Sequence, residues 1–137
     1  MKIVSKNIII PSGENSFEAD WSFVSGYNII AVMSKFISGD SNKGVDVEIL
    51  NSHGSTIIDP MDVRFYEKST DGFKIGTAVP FPPGIESNLG ISVKAKAETN
   101  VSADTKYQMV FFLEKGKAID IDGKVKPQEE VINNCKI

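Results

Sequence analysis

The stretch Lys106-Tyr107-Gln108-Met109-Val110-Phe111-Phe112-Leu113-Glu114-Lys115 decides the fold class. On an extended chain Tyr107, Met109, Phe111 and Leu113 point to one side, and Gln108, Val110, Phe112 and Glu114 to the other. Val110 and Phe112 make the second side apolar as well, so the segment is expected to be a central strand with both faces covered. Tyr27 to Phe36 has the same character, with Ile29, Ile30, Ala31, Val32 and Met33 in succession, and is a second candidate for the interior of a sheet.

Around these two lie segments that alternate more strictly. Phe17, Ala19, Trp21 and Phe23 interleave with Glu18, Asp20 and Ser22, which places the aromatic side inward. Val45, Val47 and Ile49 interleave with Asp46 and Glu48 as a strand with one wet face. Leu89 to Ala97 reads as an outer strand whose polar row is Ser92, Lys94 and Lys96. Further strands are expected at Ile3 to Ile10, at Ser55 to Asp59 with Pro60 as its stop, and at Val63 to Glu67. Pro11-Ser12-Gly13, Ser25-Gly26, Asn51-Ser52-His53-Gly54 and Thr70-Asp71-Gly72 supply turns. Pro80, Pro82 and Pro83 suit an extended crossover between sheets. Ile119 to Val125 carries Asp122-Gly123, a hairpin signal, and residues 127–137 read as a helical turn or an arm.

The expectation is therefore an all-β protein, an antiparallel β-sandwich of about 8 to 10 strands. A jelly roll is favoured over immunoglobulin-like connectivity, because a proline-rich crossover and two doubly apolar strands suit two facing Greek keys. Residues 1–117 form the sandwich domain, and 118–137 a C-terminal hairpin and arm.

Composition narrows the function classes. The 137 residues are 41% hydrophobic and 24% charged, ordinary for a single globular domain that hides roughly two thirds of its surface on folding. Net charge is −3 and the cations are scattered, so no nucleic-acid footprint is visible. Cys135 is the one cysteine, which excludes an intramolecular disulfide. No secretory leader is recognised, and no run reaches the ~20 apolar residues of a membrane helix. The expected location is a virion if the source is viral, and otherwise the cytoplasm.

Candidate chemistry is sparse. His53 is the one histidine and sits in a tight turn; Cys135 has no placed partner to lower its pKa. One His and one Cys do not make a zinc site. Asp40-Ser41-Asn42-Lys43-Gly44 and Asp120-Ile121-Asp122-Gly123 space oxygen ligands as calcium loops do, but each lacks the downstream bidentate acid and reads as a turn. Glu14, Asp59, Asp62 and Glu86 are acids at strand ends and turns, as any β-protein has. No glycine-rich phosphate loop precedes a helix. No catalytic residue, metal or cofactor is assigned. Sugar-binding sandwiches use exposed aromatic platforms, for which Tyr27, Tyr66 and Phe81 are the candidates, while Trp21 alternates into the core.

The opening Ile8-Ile9-Ile10-Pro11-Ser12-Gly13 with Phe17 and Trp21, and the late Tyr107 to Phe112 strand, resemble in layout the small jelly-roll structural proteins of virus particles, the vertex, decoration and spike-base subunits. That resemblance spans Ile3 to Glu114 and implies self-assembly into rings or lattices through edge strands and terminal arms, without a cofactor. Richness in Ile, Asn and Lys fits an AT-rich genome, phage or bacterial. Independently, Ile119, Ile121, Val125, Val131, Ile132 and Ile137 follow the presumed core and suit burial against a neighbouring subunit or against the chain's own sandwich. The expected function is thus a non-enzymatic virion structural protein, a phage capsid or decoration subunit that forms a homo-oligomer or binds other virion proteins. The alternative is a carbohydrate-binding or adhesin-like module using Tyr27, Tyr66, Phe81 and the Asp40 to Gly44 loop.

Overall fold

The computed structural model describes residues 1–40, 44–67, 78–119 and 125–127. Among them are ten strands: β1 (Lys2–Ile10), β2 (Ser16–Trp21), β3 (Tyr27–Ser38), β4 (Val45–Asn51), β5 (Thr56–Asp62), β6 (Val79–Pro80), β7 (Ile91–Ala97), β8 (Thr105–Lys115), β9 (Lys117–Ile119) and β10 (Val125–Pro127). The described residues contain no α-helix. Eight strands form two four-stranded antiparallel sheets, ordered β1-β8-β3-β6 and β2-β7-β4-β5, that pack face to face. β9 and β10 pair as a separate two-stranded ribbon.

The order has a simple origin. The first strand pairs with the last of the eight, the second with the seventh, the third with the sixth and the fourth with the fifth. That is one long hairpin ribbon with its tip at the Asn51–Ser55 turn. Rolling the ribbon brings β8 onto β3 and β7 onto β4 and separates the two sheets. The result is the jelly roll expected from the sequence.

β8 is flanked on both sides, by β1 and β3. Its Tyr107, Met109, Phe111 and Leu113 enter the core between the sheets, where they meet Ile8, Ile10, Ile29, Val32, Val45, Val47, Ile49, Ile91 and Val93. Phe111 is the hub: its ring lies 5.9 Å from Trp21, 5.2 Å from Phe23 and 6.4 Å from Phe81. Each such pair adds about 0.5–1.5 kcal/mol beyond simple area burial. On the opposite side of the same sheet Val110 and Phe112 join Ala31 and Met33 in a second buried cluster, with Ile30 and Ala78 packed against it. The doubly apolar patterns of β3 and β8 record this second cluster.

Four local expectations are corrected. Val63 to Glu67 is not a strand: Val63–Phe65 is a 3-10 turn capped by the Asp62 side chain, and it carries the chain from the second sheet to the first. Pro60 does not stop β5, because β5 is an edge strand and the register shift between the Val47–Met61 and Ile49–Ile58 pairs removes any need for a proline N–H. Leu89 to Ala97 is not at the outside of a sheet; β7 lies between β2 and β4, since alternation reports a wet face and not a free edge. Val79-Pro80 pairs with β3 as a two-residue strand, and the chain is still bonded to β3 at Ile85 and Glu86 beyond Pro82 and Pro83, so it crosses to the second sheet after the prolines, through the 3-10 turn Ser87–Leu89.

Candidate functional site

The outer faces of the two sheets differ in chemistry. The first sheet carries its apolar cluster there. The second carries rows of charge: Glu18 opposite Lys94 opposite Glu48, and Ser16 opposite Lys96 opposite Asp46. Lys94 Nζ stands 3.8 Å from Glu18 Oε1, both exposed, so the pair adds little stability.

At one end of this charged face lies an open cleft of about 460 Å³, lined by Gly44, Asp46, Asp62, Arg64, Lys96, Ala97 and Glu98. It adjoins a hollow of about 200 Å³ formed by Asp62, Arg64 and Phe65. Local sequence builds it. Asp62 ends β5 and accepts from the Arg64 backbone N at 2.9 Å, which starts the turn. The same carboxylate accepts from Arg64 Nε at 2.9 Å and Nη2 at 2.7 Å. Those bonds from Arg64 hold the Asp62 carboxyl below its ordinary range. Asp46 sits directly across the strand pair from Asp62. Glu98 Oε1 accepts from the Gly44 N–H at 3.2 Å. Glu67, beyond the turn, is pushed up by burial and by the nearby Asp62 charge. The turn leaves the Phe65 ring 66% exposed. The cleft thus offers carboxylate acceptors, a guanidinium and an ammonium on an open wall with one exposed ring. Asp62 and Glu98 are already engaged by neighbours in the chain.

The aromatic platforms expected from the sequence fare differently. Tyr66 is fully buried in the core, its hydroxyl donating to the Val47 carbonyl at 3.1 Å, and burial drives its pKa strongly upward. Phe81 is buried against Phe111. Neither is a platform: both follow a turn or a proline that bends the chain inward. Tyr27 is half-buried, with Lys2 Nζ 5.8 Å from the ring centroid. Phe65, the exposed ring beside the cleft, is not among the three aromatic platforms expected from the sequence; the 3-10 turn that stands in place of the expected Val63 to Glu67 strand leaves it exposed. The Asp62-Val63-Arg64 spacing, an aspartate two residues before a residue whose N–H it caps, was the available signal.

His53 is exposed in the β4–β5 turn, where its N–H and that of Ser55 both donate to the Asn51 side chain at 2.9 Å. Asp40 Oδ2 accepts from the Ser102 hydroxyl at 3.1 Å and tethers the loop that follows β3. Residues 41–43 of the Asp40–Gly44 loop, the Asp120–Gly123 loop and Cys135 lie outside the described residues. So do Ile121, Val131, Ile132 and Ile137 of the C-terminal segment; for Ile119 and Val125 the structure describes their antiparallel pairing with each other. Of the acids singled out at strand ends, Asp62 lines the cleft, while Glu14 and Glu86 lie in connections and Asp59 on β5. Among the described residues no helix is long and apolar enough to cross a membrane. Comparison of the chain with protein-family models, with curated proteins and with solved structures found no match to any of the three.

Proposed function

We propose that this chain is a non-enzymatic structural subunit, a jelly roll that assembles with copies of itself or onto a larger particle, as capsid and decoration subunits of virions do. The observation that supports this most directly is β1 at the edge of the first sheet, paired among the described residues with β8 alone. β1 is nine residues long and pairs on one side with β8. Met1, Ile3 and Ile9 on and beside it are 72, 55 and 40% exposed although the core behind them is closed. A long, partly apolar edge strand offers backbone groups and apolar side chains with which another chain can pair. On this reading the apolar residues of segment 118–137 are contact residues as well.

Light scattering of the full chain over a wide concentration range is the test. A mass that rises with concentration, or co-sedimentation with the particle of its source, is the expected result. A monomer throughout that also ignores such particles overturns the proposal.

A further inference from the structure

We propose that β1 is a two-fold interface: two copies of the chain join their β1 strands antiparallel, with Lys6 facing Lys6 of the second copy, and fuse two four-stranded sheets into one of eight strands. The inference rests on the assembly reading above and names the surface and register.

The faces, length and polarity of β1 select this register. In β1 the even-numbered residues face the core: Ile8 and Ile10 are buried, and Val4 and Lys6 half-buried. Ile3, Ser5, Asn7 and Ile9 point to the outer side, opposite Phe112, Val110, Gln108 and Lys106 of β8. Residues directly opposite in an antiparallel pair share a face, so a β1–β1 pair must set outer residues against outer residues. Among the registers that do so, centring on Lys6 is the one that pairs all of Lys2–Ile10 with itself. The same register places Ile3 against the second copy's Ile9, and Ser5 against its Asn7, each twice by symmetry. Shifting the centre to Ser5 sets Ile3 against Asn7; shifting it to Asn7 sets Ser5 against Ile9. The outer row therefore reads apolar, polar, polar, apolar about its own midpoint, which is the self-complementarity an isologous interface needs. The exposed isoleucines of this strand become cross-strand neighbours, and the backbone groups on the side of β1 away from β8 pair with those of the second copy.

One element opposes the pairing. The two Lys6 ammonium groups meet on the two-fold axis, and like charges directly opposite weaken a strand pair. Association through this edge is thus weak at low ionic strength and strengthens as salt screens the lysines.

Cysteine cross-linking tests the register. In a Cys135→Ser background, Lys6→Cys places two thiols opposite each other across the axis, within reach of a disulfide. Ser5→Cys alone faces Asn7 and leaves its own copy a diagonal step away. Mild oxidation is expected to link the Lys6→Cys chain at least tenfold faster than the Ser5→Cys chain, and a mixture of Ser5→Cys with Asn7→Cys is expected to give the mixed dimer. Light scattering should show Lys6→Gln raising association and the Ile3→Lys/Ile9→Lys double variant abolishing it, with unchanged circular dichroism in both. If the full chain associates but the Lys6 and Ser5 variants cross-link at equal rates and the double variant still associates, the β1 interface is wrong while the assembly reading stands. If the chain stays monomeric up to millimolar concentration at high salt, the β1 interface is overturned, and the assembly reading then depends on particle binding alone.

Discussion

Among the described glycines, Gly39 is the one with the closest backbone neighbours. It follows β3 with φ of 107°, in the left-handed region that disfavours a side chain, and a Cβ there would stand 2.5 Å from both the Asp104 carbonyl and the Thr105 Cα. Both neighbours are backbone at the start of β8, so neither can swing aside. Gly39→Ala is expected to cost about 2–4 kcal/mol, backbone strain and overpacking together, read as a lowered urea midpoint. Tyr66 is constrained differently. Its hydroxyl is satisfied inside the core by Val47, so Tyr66→Phe loses one buried hydrogen bond, about 1 kcal/mol. Burial raises its pKa in the folded state. An acid whose folded pKa is raised stabilises fully below its unfolded value, near 10 for tyrosine, and that stability is lost as pH climbs from there toward the folded value. The native chain should lose stability above about pH 10. Tyr66→Phe should flatten that decline in part, because Tyr107 is also shifted upward by burial. Denaturation midpoints between neutral and alkaline pH check both signs.

Among the elements, β8 is the one whose two faces both matter. A strand of a sandwich normally risks one row of side chains; here Phe111 is buried between the sheets and Phe112 on the outer side. Phe111→Ala and Phe112→Ala should therefore destabilise alike, by about 3–5 kcal/mol each. A cost below about 1 kcal/mol at Phe112, as for an exposed ring, would contradict its burial. Guanidinium titrations of the two variants decide it. β5 is the contrasting element. It is an edge strand that tolerates Pro60 and two register shifts, and it ends in the Asp62 cap that turns the chain toward the cleft.

For the whole molecule the rolled ribbon sets both kinetics and assembly. Pairing Lys2 with Leu113 closes most of the chain into one loop, and the pairing of the second with the seventh strand closes another long loop nested inside it. Such non-local pairing makes folding slow, on the order of milliseconds to seconds for a single chain. Trp21, whose ring stacks edge-on to Phe111 between the two sheets, reports the event. Stopped-flow refolding followed by its fluorescence is expected in that range; completion in microseconds would mean the first and last strands are not joined at the barrier. Among the described residues the same closure leaves β1 as the long edge of its sheet, where β6 is two residues long, so the geometry that slows folding also creates the surface proposed for assembly.

Much of this was present in the chain as written. Period-two alternation at Phe17–Trp21, Val45–Ile49 and Ile91–Ala97 is a local property, and it identified strands and their inward faces without knowledge of any partner. The doubly apolar runs of β3 and β8 marked the interior of a sheet for the same reason. Alternation carries no label for the neighbour, however. That β7 lies inside its sheet, that Asp46 faces Asp62, and that Tyr66 turns inward while Phe65 is left in solvent all depend on residues remote in sequence meeting in one register. Only the folded ribbon, by bringing its two ends together, decided those.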